Sequence, residues 1–322
     1  MRAYAKLNLG LRILGRRADG YHELRTVFQT VSLADDVTLA LGAGRGVRCE
    51  TSARGAAPWL SVPEDGTNLA VRAAELAREE FRLRGQVRLR LVKRIPVGAG
   101  LGGGSSDAAA VLRLLAARAR PAPPAALVWR LAAELGSDVA PFLIGGTVLG
   151  LGRGDECYPL PPWPSQYAVI ALPSRPVATA EAFRLWDERH PEPALPGLTE
   201  AARSAKIYSF RGSLMRALPA SRQARDRGRS ERPIVRAGIE NDFEEVVFSL
   251  SPDFAMIRRA LRRAGAKTVA LTGSGAAQYG LFSRRETAAA ARDRLAERGP
   301  AWLVRFVARQ RRETKLWGVV QW

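Results

Sequence analysis

Apolar and polar positions alternate from Met1 to Gly15. Ala5, Leu7, Leu9, Leu11 and Ile13 share one face of a strand, and Lys6, Asn8 and Arg12 lie on the other. Lys6 and Asn8, two residues apart on the pleat, point the same way. Thr26 to Leu33 and Val37 to Leu41 read as two further strands, and residues 42 to 62 as one or two short ones among Gly, Ala and Pro. The period then lengthens. Ala70 to Arg84 predicts a helix with Asn68 as its N-cap and Gly85 as its stop. Gln86 to Lys93 returns to alternation. Ala108 to Arg118 is rich in helix formers and is stopped by Pro121. Pro123 and Pro124 start a helix through Leu135, closed by Gly136, and a short helix is expected from Val139 to Leu143.

Gly145 to Leu160 reads as a strand region with a turn at Gly152 to Asp155. The proline-dense run from Pro159 to Pro164 marks a boundary between two lobes, residues 1–160 and 161–322. Tyr167 to Leu172 follows as a strand, then a helix from Ala180 to Glu188 capped by Thr179. Leu195 to Met215 is moderately helical, and Arg222 to Arg236, basic and poor in apolar residues, reads as a surface loop. Asn241 opens a helix, and a second runs from Asp253 to Ala264. Strands at Thr268 to Leu271 and Gln278 to Phe282 flank a glycine turn, Thr272 to Ala277. A helix from Glu286 to Arg298 and a strand from Leu303 to Val307 complete an α+β alternation, and the tail from Gln310 to Trp322 has no readable pattern.

The stretch from Pro96 to Asp107 joins a strand to a helix N-terminus and carries the clearest chemistry. Its glycines let the backbone approach an anion and turn N–H groups toward it. The first N–H groups of the helix lack internal partners, and the helix dipole favours negative charge there. Ser105 and Ser106 add hydroxyls that donate hydrogen bonds or offer an oxygen to Mg²⁺. Gly98, Gly100 and Gly103 match a dinucleotide fingerprint, but Arg94 to Pro96 intervene after the strand and no acid stands about 20 residues further on. The P-loop is excluded because no Gly-Lys-Ser/Thr follows. A phosphate cradle of another kind is expected.

Composition narrows the class. With 322 residues and 47% hydrophobic content the chain suits one large or two ordinary domains with ample cores. No apolar run approaches the roughly 18 residues of a membrane span, and Lys6, Asn8 and Arg12 interrupt any signal-peptide core. Cys49 and Cys157 have neither disulfide nor metal spacing, so a cytoplasmic protein with reduced thiols is expected. The net charge is +19, yet aromatics are only 7% and do not interleave with the basic residues. That disfavours a dedicated nucleic-acid function and suits anionic small substrates.

Two further features stand out. Asp19 and Gly20 make a turn that delivers Tyr21 and His22, and Asp138 is either a helix cap or a functional carboxylate. Together the blocks Ala3 to Leu9 with Arg17 to Leu24, Pro96 to Ala110, and Leu271 to Ala276 resemble the GHMP kinase superfamily in composition and order. Gly136 to Val139 and Asn241 to Glu244 agree with it. Within the superfamily, the Ala18 to His22 block resembles the kinases of the non-mevalonate isoprenoid route.

The resemblance implies a two-lobe fold. The N-terminal lobe would be of the ribosomal-protein-S5-domain-2 type, and the C-terminal lobe an antiparallel sheet covered by helices, with the site in the cleft between them. It implies ATP and Mg²⁺ as cofactors and phosphorylation of the 2-hydroxyl of 4-diphosphocytidyl-2-C-methyl-D-erythritol. By position, Asp138 becomes the general base, Lys6 its partner, and Asn8 a substrate holder. Tyr21 and His22 would recognise cytosine. Phe28, Phe183 and Thr179 fall at further substrate-side positions, and Gly273, Ser274 and Gly275 close over the phosphates. Asn68 and the run Pro96, Val97, Gly98, Ala99, Gly100, Leu101, Gly102, Gly103, Gly104, Ser105 and Ser106 hold the nucleotide, with Ser105 or Ser106 as candidate metal ligand. Lys6⁺ beside Asp138 would keep that carboxylate ionised and oriented to accept a proton. A monomer or weak homodimer is expected, with no membrane and no dedicated nucleic-acid partner. The competing readings are a GHMP kinase of homoserine or mevalonate type, a silent binding protein on this fold, and a basic RNA-binding protein.

Overall fold

The computed structural model describes residues 1–54, 62–191 and 239–309. The helical reading of Leu195 to Met215, the basic stretch 222–236 and the tail from 310 lie outside them. The chain begins with two long strands, β1 (Arg2–Arg16) and β2 (His22–Gly42), paired with each other. β2 is one strand where two were expected. Asp35 and Asp36 do not break it, because Asp35 turns inward and its carboxylate accepts the N–H groups of Arg94 and Ile95. The polar face of β1 does not simply meet solvent: of Lys6, Asn8 and Arg12, the first two are buried and Arg12 is exposed.

β3 (Val47–Ala53), α1 (Leu69–Glu80), β4 (Gln86–Lys93), α2 (Gly103–Ala116) and α3 (Ala125–Leu135) follow. Asn68 caps α1 as expected, its Oδ1 accepting the Ala70 N–H. The helix ends at Glu80 rather than Arg84, since the Leu83 N–H folds back to the Arg78 carbonyl and Arg82 turns left-handed at φ 51°. α2 begins at Gly103, inside the glycine stretch, so Ser105 and Ser106 lie in its first turn. α4 (Ala140–Ile144) is capped at Val139 without a side-chain bond, so Asp138 is not its N-cap.

The hairpin β5 (Thr147–Gly152) and β6 (Glu156–Pro159) turns at the expected place. Then come β7 (Tyr167–Ala171), α5 (Thr179–Arg189), α6 (Glu244–Val247), α7 (Pro252–Arg263), β8 (Thr268–Leu271), β9 (Gln278–Phe282), α8 (Arg285–Ala296) and β10 (Ala301–Arg305). Thr179 is the first residue of α5 and does not cap it; its hydroxyl meets that of Ser274 instead. Asn241 opens no long helix: it bridges to Leu11, and its Oδ1 takes the Phe243 N–H ahead of the four-residue α6. β10 starts two residues earlier than expected, paired with β7 from Ala301 opposite Ala171.

By contacts the described residues divide into two compact units: those within 1–7, 28–162 and 307–309 form one, and those within 8–27 and 163–306 form the other. Residues of β1 and β2 therefore fall in both units. The first unit holds most of a six-stranded sheet ordered β3-β4-β2-β5-β6, in which β3 pairs with β4 in parallel, and β2 with β4 and β5 with β6 pair antiparallel. Val37 and Leu39 of β2 and Val87, Leu89 and Leu91 of β4 pack with α1, α2 and α3 into one core. The alternate residues, Thr38, Ala40, Arg88 and Arg90, face solvent, so helices cover one side of this sheet. The second unit holds an antiparallel sheet ordered β10-β7-β9-β8, with α7 and α8 packed on it through Leu261, Ala288, Ala291 and Leu295.

Candidate active site

In the first unit the glycine loop is built by an alternation of hand. Gly98, Gly100 and Gly102 have φ of 70°, 75° and 70°, while Ala99 and Leu101 between them keep ordinary φ and bury their side chains. Such alternation turns successive N–H groups toward a common side, which makes an anion-binding concavity. At Gly102 a Cβ would lie 2.7 Å from the Phe142 ring and 3.3 Å from Lys6 Cε, so the position is closed to any side chain. The first intrahelical bond of α2 runs from Ser106 N–H to the Gly102 carbonyl. The N–H groups of Gly103, Gly104 and Ser105 precede it and have no partner among the described residues, nor have the hydroxyls of Ser105 and Ser106.

Lys6 is set against this loop by the backbone. Its N–H donates to the Leu101 carbonyl at 3.0 Å, and its side chain runs past Gly102. The Nζ stands 3.8 Å from Asp138 Oδ2 and 5.5 Å from the centre of the Phe28 ring. Lys6 is buried while the Asp138 side chain is 47% exposed. Burial pushes the Lys6 ammonium below its usual value, and Asp138 offsets this only in part. So a lysine on β1 and an aspartate 132 positions later meet beside the phosphate loop, with the carboxylate open to an incoming hydroxyl. Phe28 packs on Gly150, whose missing Cβ leaves room for its ring.

Beneath the loop lies a network that sequence reasoning missed. The Lys93 Nζ bonds the carboxylates of Asp35 and, at 2.5 Å, Asp107, all three buried. Asp35 Oδ1 also takes the Ile95 N–H at 2.8 Å, at the lead-in to the loop. Two carboxylates share one ammonium. Burial pushes the Asp107 carboxyl up to about 7, and Lys93, although burial opposes it, is held above its usual value by Asp107 and Asp35. A signal existed: Lys93 falls in phase with the buried Val87, Leu89 and Leu91, and Asp107 sits in an alanine-rich helix.

In the second unit Asn8 is tied up by protein. Its Nδ2 donates to Thr26 Oγ1 at 2.7 Å, and its Oδ1 accepts the Gly273 N–H at 2.8 Å and the Thr272 hydroxyl at 3.2 Å. Asn241 Nδ2 holds the carbonyls of Leu271 and Gly273. These two amides fix the second glycine turn, where Ser274 meets Thr179 at 2.9 Å. His22 is buried, bonded through Nε2 to Asp187 Oδ1 at 2.6 Å and stacked on Phe183 at 4.4 Å. Trp186 meets the His22 ring edge-on. Phe183 and Asp187 stand one turn apart on α5, and that spacing was the available clue to Asp187. Tyr21, by contrast, is 54% exposed. Asn68, expected at the nucleotide, uses Oδ1 on Ala70 and Nδ2 on the Pro63 carbonyl.

No group of three or more His, Cys, Asp or Glu side chains among the described residues is arranged to hold a metal. The free hydroxyls of Ser105 and Ser106 at a phosphate cradle nevertheless suit Mg²⁺, a hard cation that takes few protein oxygens and completes its shell from phosphate and water. Both cysteines are free, and burial raises both thiols.

Comparison with known proteins bears on this geometry. The profile of the GHMP kinases N-terminal domain matches residues 68–146, and that of the GHMP kinases C-terminal domain residues 218–301. A 4-diphosphocytidyl-2-C-methyl-D-erythritol kinase of Solibacter usitatus is 42% identical over 97% of this chain and 89% of its own length. One of Moorella thermoacetica is 40% identical over 94% and 96%. A crystal structure of a 4-(cytidine 5'-diphospho)-2C-methyl-D-erythritol kinase superposes with a TM-score of 0.70 at 34% identity, covering 95% of this chain and 98% of that one. A homoserine kinase from Cytophaga hutchinsonii, at 20% identity and a TM-score of 0.60, shares the fold alone.

Proposed function

Because the chain belongs to the GHMP kinases and, within them, to the 4-diphosphocytidyl-2-C-methyl-D-erythritol kinases, we infer that it transfers the γ-phosphoryl of ATP to the 2-hydroxyl of that substrate. It is a small-molecule phosphotransferase of non-mevalonate isoprenoid precursor synthesis, with two domains of the family fold. In this reading those domains divide the chain at residues 1–160 and 161–322.

The observation that carries the assignment of roles is the meeting of Lys6 and Asp138 beside the glycine loop. Phosphoryl transfer needs positioning and charge neutralisation more than covalent chemistry. The N–H groups of Gly103, Gly104 and Ser105 receive the phosphates. Asp138, open on one side, accepts the proton of the attacking hydroxyl. Lys6 keeps that carboxylate ionised and meets the charge that develops on the transferred group. Ser105 or Ser106 would hold Mg²⁺, which neutralises phosphate oxygens when bound.

Tyr21 and His22 take the cytosine, with Asp187 and Phe183 fixing the imidazole that meets it. Asn8 acts through the turn it holds, positioning Gly273 and Ser274. The enzyme works in the cytoplasm as a monomer or weak homodimer; among the described residues no helix is long and apolar enough to cross a membrane. ADP release measured with the cytidine substrate, homoserine and mevalonate in turn tests the reading. Turnover is expected with the first alone, and equal or greater turnover with either of the others overturns it.

A further inference from the structure

The bare face of the six-stranded sheet has no part in the reaction derived above. β4 turns Arg88 and Arg90 outward while Val87, Leu89 and Leu91 face the helices. Arg94 continues the outward series one residue past the strand. The sheet thus sorts neighbouring charges by side: Lys93 goes inward to Asp35, and Arg94 pairs with Asp36 at 2.8 Å, half-exposed. Arg2 at the start of β1 and Arg54 after β3 join Arg90 and Arg94 around an open depression of about 420 Å³, with Asp36 and Thr38 between them.

The charges in this depression do not cancel. Four guanidinium groups face one carboxylate, and that carboxylate is already paired with Arg94. Arg2 lies over the ring of Tyr4, 5.4 Å from its centre. Arg54 and Arg90 have no side-chain partner among the described residues. Glu50, opposite Arg90 in the β3–β4 register, is not within ion-pair distance of it. Some exposed arginines elsewhere do find a carboxylate, as Arg130 does with Glu80, Arg184 with Glu188 and Arg292 with Asp293. Like charges gathered on neighbouring strands oppose pairing unless something offsets them.

We propose that this depression binds a small multivalent phosphate anion, a diphosphate or triphosphate group, at a site separate from the glycine loop. Guanidinium forks match phosphate oxygens in bidentate geometry, which lysines do not. The volume falls at the small end of ligand sites, suited to a compact anion. Among the described residues the lining offers no aromatic ring on which bases could stack, which sets the site apart from a single-strand nucleic-acid groove.

The test uses inorganic tripolyphosphate and titration calorimetry at about 150 mM salt, where screening suppresses diffuse attraction. The enzyme is first saturated with its cytidine substrate and a non-hydrolysable ATP analogue, so that the catalytic site is filled. One further equivalent of tripolyphosphate is expected to bind. The double variant Arg54→Ala/Arg90→Ala is expected to weaken that event by about tenfold or more, while kcat and both KM values without tripolyphosphate stay within about twofold. Arg184→Ala, which removes one exposed arginine elsewhere, should leave the binding unchanged. Absence of the extra equivalent, wild-type affinity in the double variant, or equal weakening by Arg184→Ala overturns the proposal. The weakening in the double variant does not depend on what fills the other site.

Discussion

Lys6 is the residue at which stability and the proposed chemistry oppose each other. Its ammonium is buried, and its folded-state pKa lies below the unfolded value of about 10.5. The folded chain therefore binds fewer protons here than the unfolded chain between those two values, and stability rises with pH across that window. Below it the buried charge opposes folding in full. Lys6→Met should thus keep or raise Tm while lowering kcat by about 10²-fold or more, since an uncompensated buried charge is costly and its loss removes transition-state stabilisation. A fall in Tm would show that the Asp138 pairing outweighs the burial. Asp138→Asn is expected to lower kcat by about 10²-fold to 10⁴-fold, the usual size of a general-base contribution, with an unchanged circular dichroism spectrum. Near-normal turnover would remove Asp138 from that role. His22→Ala should raise KM for the cytidine substrate by roughly tenfold, through a lost stack and a lost charge-assisted bond, and leave KM for ATP alone. Equal rises in both would make the His22–Phe183–Asp187 group purely structural.

The junction of glycine loop and α2 is where one element depends on side-chain absence. Gly102 and Gly104 look alike in the sequence, and the structure separates them. Gly102 sits at φ 70° with the Phe142 ring 2.7 Å from any added Cβ. Gly104 is exposed in the helix, and an added Cβ would meet only Leu69 Cδ1 at 3.8 Å. Gly102→Ala should therefore cost about 1–2 kcal/mol for backbone hand alone, plus the clash, and raise KM for ATP. Gly104→Ala should be neutral or stabilising by up to about 1 kcal/mol in chemical denaturation, because alanine restricts the unfolded chain. Equal losses from the two would mean that the loop is not held in this alternation of hand.

At the scale of the whole molecule, the second unit is not one continuous stretch of chain. The second unit contains residues 8–27, and its glycine turn depends on them: Tyr279 donates to the Asn8 carbonyl, Thr272 Oγ1 takes the Asn8 N–H, and Leu11 N–H donates to Glu240. A fragment covering residues 161–322 lacks all three contacts and leaves the buried Tyr279 hydroxyl without its acceptor. It should fail to give dispersed amide resonances, whereas the same fragment with a peptide of residues 1–27 added should gain order. A well-folded fragment on its own would show that the first strands are not needed there.

Much of the local structure was legible. The alternation of β4, the cap at Asn68, the hairpin at Gly152 to Asp155 and the strand–glycine–helix junction all follow from short-range sterics and periodicity, which neighbouring residues settle among themselves. The sequence alone also pointed to the chemical class proposed for the site, because a glycine run with two serines at a helix start suits few ligands other than phosphate. What it left open were properties of distant pairs. Asp138 could be a cap or a functional carboxylate until the chain brought it to Lys6, and nothing near Asp35 in the sequence announced that it would meet the Lys93 ammonium and two backbone N–H groups. Asn8 looked like a ligand holder until Thr26, Thr272 and Gly273 took up its amide. Charges and hydrogen bonds act over a few ångströms whatever the separation along the chain, so only the tertiary structure could decide which of these polar groups would meet.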